Sequence, residues 1–531
     1  MGKGIGVVKA WRWLLLLILG AAIAGTVAFW VRAPGYMDAE YYYTTAQRLV
    51  DGAGFTEPFL WNYLDDPIGL PHPSHLYWMP LTTIVSAGPM VLFGKSFRVA
   101  QLPFLILTAV LPALTSLLAL HLHGDQRWAW RSGLITSLPG FFLPYLVTTD
   151  TFILYAMIGG AALWVMAEAS QSPSASRWLV VGLLVGLGHL TRADGLLLLI
   201  PALVALWWTE HGKVSAVVFL VLGYLLPIVP WCTRNLLVIG SAFPPGTRRA
   251  LWLLSYDELF SYPADILTPA RWLSSGFPAI FRARFQALST NIQRLVGENG
   301  IVFLGPFMAL GAHRLWKQPL VRLAVIYLVV LLSVMSIIFP YAGSFGGFFH
   351  SSAALIPVSL VLAPVGLDTA IAWGARKRGW NLREAKVILG AGAVALVGIL
   401  TAGLVWTRVI GPTPSEPRWA YSLRTYQEVG ELLCQLDDSP DVVAINNPPG
   451  FYLATSMESV VIPNGPVESL WQVVQRYRVD WVVLDANRPA DLAALYNAPE
   501  SVAWLELAGT LQNSDGRDIY LLKVSLETSQ P

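Results

Sequence analysis

Apolar and polar positions fall into long blocks along this chain. Apolar runs lie near residues 12–31, 97–121, 130–147, 151–168, 177–191, 195–209, 214–231, 300–314, 320–339, 350–372 and 386–408. A helix needs about 20 such residues to cross a bilayer. Eleven spanning helices are therefore expected, several of them short. The stretch "MPLTTIVSAGPMVLFG", segment 80–94, is apolar too. It is brief and interrupted by Gly88 and Pro89, and reads as an interfacial or re-entrant piece. The first run follows a basic start but is too long for a signal-peptide core and lacks a small-residue cleavage site. It reads as a retained first helix. After "GPTPSEP" the pattern changes. Short strand-like runs ("DVVAINN", "SVVIPN", "DWVVLDAN", "IYLLKV") alternate with helix-like ones ("RTYQEVGELLCQL", "VESLWQVVQRYR", "ADLAALY"). This predicts a small α/β domain with a partly parallel sheet over 411–531, behind a membrane domain over 1–410.

Composition makes the membrane reading firm. Of 531 residues 55% are hydrophobic and 13% charged, where a soluble domain carries about 25% charge. The net charge of +2 and the lack of a basic tract give no reason to expect a nucleic-acid partner; the bilayer is the partner implied. Two cysteines, Cys232 and Cys434, exclude a disulfide scaffold and a multi-cysteine metal site. They either pair outside the cell or remain thiols.

Charge then orients the spans. With Lys3, Lys9 and Arg12 inside, the inner turns hold Arg127 and Arg131, then Arg177, Lys213, the set Arg314, Lys317 and Arg322, and finally Arg376 to Lys386. Outer turns near 148–151 and 340–350 hold no Lys or Arg, and the one near 192 holds Arg192 alone. The expected protein is an inner-membrane, multi-pass chain with a cytoplasmic N-terminus. Its outer pieces are a first loop over 32–96, a second over 232–299, and the tail.

The first loop is crowded with acids and rings. Asp38 lies about one helical turn beyond the first span. It can act as a general base, bind a cation or cap the helix that follows. Glu40 is its neighbour. Asp51, Asp65 and Asp66 fit turns, and Glu57 fits either a loop or a site. His72 and His75, three apart, suit a metal beside a carboxylate, or hydrogen bonds to phosphate and hydroxyls. Tyr42, Tyr77 and the rings around them suit either the bilayer interface or stacking on a sugar. Beyond this loop, Asp150 in "TTDTF" is either an N-cap or a functional acid. Arg192 either grips a phosphate or pairs with Asp194. Arg234 and Arg248 either form a basic lip for an anionic headgroup or meet ordinary lipid phosphates. His350, in a glycine-rich turn, can line the same cavity. Under one charge-derived topology these groups converge on the outer side.

Taken in order, the motifs resemble the GT-C superfamily of polytopic membrane glycosyltransferases, nearest to the protein O-mannosyltransferases and the lipid A aminoarabinose transferases. "GYMDAEYYY" matches an acidic motif after the first span, with Asp38. "LPHPSHLYWMPL" is similar to a Pro-rich segment followed by aromatics, "TTDTF" to an acid at the start of a later span, and "LTRADGLL" to a Thr-basic-x-x-Gly turn. Two departures are Ala39 between the acids, and histidine where the aminoarabinose transferases have a Glu-Lys pair. Over roughly 1–410 the resemblance implies an inverting transfer from a polyprenyl-phosphate sugar at the outer face to a lipid, glycan or protein acceptor. Asp38 is then the base, with Glu40 and Asp150 as further catalytic acids. Arg192, with Arg234 or Arg248, would steady the phosphate charge. No metal ligand is assigned, and a divalent cation is left open. The competing classes are a transporter or flippase of lipid-linked or polar solutes, for which no internal repeat is visible, and a membrane-anchored binding protein.

Overall fold

The computed structural model describes residues 11–525; Lys3 and Lys9 lie outside the described residues. Among the described residues, seven helices are long and apolar enough to cross a membrane: Trp11–Trp30, Phe97–His123, Thr151–Gln171, Lys213–Ile239, Pro319–Ile338, Pro340–Arg378 and Leu382–Ile410. Three shorter apolar helices accompany them, Leu81–Phe93, Ala175–Thr191 and Ala193–Trp208. The chain is thus a helical integral membrane protein, built from helices of unequal length.

Two expected spans take other forms. The run at 130–147 is a helix Gln126–Ser137 that breaks at Leu138 and Pro139 and resumes over Leu143–Leu146. Pro139 lacks an N–H for the ladder, and Gly140 takes a positive φ of 60°. The run at 300–314 becomes helical only over Gly305–Arg314, because Ile301 and Val302 have positive φ. Segment 80–94 is the 13-residue helix Leu81–Phe93, about 20 Å long at helical rise.

Close helix packing follows from small residues. Where helices Ala175–Thr191 and Lys213–Ile239 cross, Gly182 faces Gly223, and a Cβ on either would strike the other's backbone. Toward the end of the bundle away from the first loop, Asp368 accepts from Trp128 Nε1 at 2.9 Å and pairs with Arg131 at 2.7 Å and Lys386 at 3.2 Å.

The tail forms the expected mixed sheet. Its strands, with those of the first loop, are β1 (Thr56–Glu57), β2 (Phe59–Leu60), β3 (His72–Pro73), β4 (Val442–Ile445), β5 (Glu458–Val461), β6 (Trp481–Leu484), β7 (Leu505–Gln512) and β8 (Asp518–Val524). The order is β2-β5-β4-β6-β8-β7. β2, β5, β4 and β6 run parallel, and β8 and β7 are antiparallel. The edge strand β2 comes from the first loop, with Phe59 opposite Ser459. Tyr63 donates to the Val461 carbonyl, and Tyr477 donates to the Pro67 carbonyl at 2.8 Å. The first loop and the tail are therefore one packed unit, held over the same end of the bundle as Asp38. Cys232 and Cys434 are free thiols.

Candidate active site

The first span ends at Trp30, and a short turn leads into the helix Met37–Val50. Tyr36 is its N-cap residue and makes no side-chain cap bond. Asp38 is thus not the cap. It stands in the first turn, where the helix dipole favours an anion, and lines a cavity of about 1000 Å³. Glu40 is about 200° further round the helix and leaves the cavity. It is fully buried and accepts from Asn447 Nδ2 at 2.7 Å and Ser422 Oγ at 3.2 Å, both in the tail.

Asp150 does cap a helix, accepting from the Thr151 N–H. Its other oxygen accepts from the Tyr36 hydroxyl, so it is fixed directly behind Asp38. His350 joins the two acids: Nε2 is 3.7 Å from Asp38 and Nδ1 is 3.8 Å from Asp150. The ring packs on Phe152, with centroids 4.1 Å apart. One ligand atom from each of Asp38, Asp150 and His350 falls within 4.8 Å of the others. Two carboxylates and an imidazole in this arrangement suit a divalent cation.

Arg192 ends the helix Ala175–Thr191. Its Nε lies 2.9 Å from both Asp194 Oδ1 and Ser351 Oγ, and Nη2 lies 3.3 Å from Asp194 Oδ2. Both readings of Arg192 thus hold in part: it is paired, and it also lines the cavity. The turn requires Gly195, since a Cβ there would collide with the Gly188 carbonyl. Burial and the neighbouring Asp150 push the Asp38 carboxyl up to about 7, against the pull of Arg192. Burial also raises Asp150, opposed by its hydrogen bonds from Tyr36 and Thr151.

Tyr42, Tyr77, Asp194 and His350 line the same cavity, with Trp61 and Trp78 stacked at 4.0 Å between centroids. Other expected residues lie elsewhere. His75 is buried among Tyr41, Tyr42, Phe55 and Trp231. Burial, then the charge of Arg234, lowers its pKa to about 3, so its imidazole is neutral packing. His72 pairs with Asp65 at 2.8 Å and, with Glu57, borders a separate small void. Glu57 is raised by burial. Arg234 donates to the Phe55 carbonyl at 2.8 Å and lies over the Trp231 ring. Arg248 is exposed and off the cavity. Sequence reading missed Tyr36, Arg294, Arg408, Arg418 and Trp419, which also line it. Only Tyr36 had a signal, in the quoted "GYMD".

Residues 72–233, under a third of the chain, match the family of dolichyl-phosphate-mannose-protein mannosyltransferases. The fold is similar to ArnT from Cupriavidus metallidurans in the apo state, at TM-score 0.53 and 14% identity, covering 98% of this chain and 100% of that one. It is also similar to the same protein bound to undecaprenyl phosphate, at TM-score 0.52 and 14% identity over 98% and 99%. The apo oligosaccharyltransferase of Archaeoglobus fulgidus matches at TM-score 0.50 and 13% identity, covering 91% of this chain and 70% of that one. A search of curated proteins finds no match. Fold and composition together define a polytopic membrane protein. The fold is similar to that of these two proteins, and the match over residues 72–233 is to one of the families that the order of motifs led one to expect.

Proposed function

We propose that the protein is an inverting glycosyltransferase that moves a sugar from a polyprenyl-phosphate donor to an acceptor at the outer membrane face. The observation that carries this reading is Asp38. It is a carboxylate 30% exposed on the wall of a large, ring-lined cavity, raised to about 7, where a base is effective near neutral pH. In the reaction Asp38 takes the proton of an acceptor hydroxyl or amine. The acceptor atom forms its bond to the anomeric carbon as the bond from that carbon to the phosphate oxygen breaks. The electron pair leaves with the phosphate, and the configuration inverts. Asp150, held by Tyr36, and Arg192 set the field at Asp38. Trp61, Tyr77 and Trp78 offer faces for a sugar ring. A divalent cation held by Asp38, Asp150 and His350 would supply positive charge against the phosphate.

The test is transfer from radiolabelled polyprenyl-phosphate sugars by the protein in membranes, with and without Asp38→Asn. Loss of transfer in the variant is expected, and undiminished transfer overturns the assignment. Absence of transfer by the unmodified protein with every lipid-linked donor would turn the reading toward transport or binding.

A further inference from the structure

The chain leaves its last span at Ile410 and enters a short turn, Arg418–Ala420. Trp419 in that turn is buried against the start of the first loop. Its indole Nε1 donates to the Ala33 carbonyl at 3.1 Å and to the Pro34 carbonyl at 3.0 Å. The residues between the first span and the Asp38 helix form no regular secondary structure, so side chains must satisfy these buried carbonyls. Gly35 has a φ of +95°, and a Cβ there would collide with the indole. The close approach therefore requires glycine. Tyr36 packs edge-on against Trp419, at 5.8 Å between centroids, and against Tyr145 at 5.5 Å. Its hydroxyl donates to Asp150, and Asp38 follows two residues later. Just beyond Trp419, Ser422 donates to Glu40 on the Asp38 helix. From the segment that carries Asp150, Thr148 donates to the Pro34 carbonyl at 3.1 Å and Thr149 to the Ala39 carbonyl at 3.0 Å.

We infer that Trp419 is a positioning residue: it clamps the turn Ala33–Tyr36, and through that turn holds Tyr36 on Asp150 and Asp38 at the cavity wall. An N–H shared between two successive carbonyls fixes two peptide planes just ahead of Tyr36. The edge-on ring contacts then fix the direction of its phenol. Slackening the turn moves the groups that must meet a substrate, and a misplacement of about 1 Å can cost roughly a hundredfold in rate. Trp419 also lines the cavity, so a clamp and a substrate contact must be told apart. The inference rests on the proposed transferase reading for its effect on rate, but not for its effect on the turn.

The experiment uses the full-length protein and its W419F, Y36F and W419F/Y36F variants. W481F is the control, because Trp481 is a buried tail tryptophan whose Nε1 donates to Asp437 at 3.3 Å. Initial rates with radiolabelled polyprenyl-phosphate sugar give kcat and KM, and amide hydrogen exchange reports on residues 31–40. W419F should lower kcat about tenfold while KM holds within about twofold. It should cost nothing further in the Y36F background, and should speed exchange over 31–40, whereas W481F does none of these. A raised KM, with losses that add to those of Y36F, makes Trp419 a substrate contact and overturns the inference. An unchanged kcat in an active protein overturns it too, as does unchanged exchange over 31–40 whatever the activity. Should W419F not fold, benzothienylalanine at position 419, which keeps the ring shape and lacks the N–H, takes its place. If the unmodified protein transfers nothing, faster exchange over 31–40 in W419F but not in W481F keeps the clamp on the turn while the transferase reading falls.

Discussion

Asp368 and Asp38 each carry a carboxylate into an apolar bundle, on the same chain but in opposite circumstances. Asp368 is saturated by Arg131, Lys386 and the Trp128 indole, and its side chain is 9% exposed. Asp38 faces a second acid, Asp150, through His350, beside open volume. From residue 350 to 368 a helix rises about 27 Å, so the two groups mark different ends of the bundle. A buried anion whose donors are complete has no capacity left for a ligand. Two like charges beside a cavity remain ready to take a proton or a cation. That contrast, drawn from this molecule alone, separates the end that holds the helices together from the end suited to chemistry.

Four experiments test the contrast. Asp38→Asn should cut transfer by about 10²–10⁴-fold, the range for a lost general base, as measured by initial rates in membranes. Its effect on Tm should run the other way. Because the folded state raises this carboxyl to about 7, its charge costs stability as pH climbs from the ordinary carboxylate range through 7. The neutral variant should then melt no lower than the parent at pH 8.

Asp368→Ala should do the reverse. It strands Arg131 and Lys386 and should cost about 3–5 kcal/mol of stability, seen as a lower Tm in detergent with turnover per folded molecule retained. Equal Tm losses in both variants would erase the distinction.

Glu40→Ala leaves Asn447 and Ser422 without their acceptor and should cost about 1–3 kcal/mol. Protease susceptibility of the tail is the readout, and Glu40→Gln should recover most of the loss. The subtlest effect is on pH dependence. In buffer with chelator, the rate should fall about tenfold per pH unit below about 7 as Asp38 protonates. Asp150→Asn, which keeps the cap, should move this acid limb to lower pH by removing a like charge. A limb that stays in place would show that Asp38 does not carry the titration.

Much of this was legible in the chain. Spans such as 12–31 and 151–168 announce themselves because lipid accepts only long apolar runs with their backbone groups satisfied. The tail announced itself by its change of period, although "LELAGTLQ" of β7 went unread. Asp38 stood out by its place after the first span, and Asp150, Arg192 and His350 by falling in outer turns under one charge rule. Other features left no local trace. The direction of Glu40 depends on rotation about its helix and on a partner, Asn447, about four hundred residues away. β2 is two residues long and exists only because β5 offers it an edge.

The sequence by itself determined the membrane class, the order of helices and tail, and which short turns carry ionisable groups. Those properties follow from local composition and period. Tertiary structure alone decided which of those groups share a cavity. Asp38, Asp150 and His350 came together, His75 and Arg234 were turned into packing, and Arg294, Arg408 and Arg418 were added from segments with no motif. The physical reason is that a site is a convergence of side-chain directions. Those directions are set by helix rotation and close packing between distant segments, which a one-dimensional pattern does not encode.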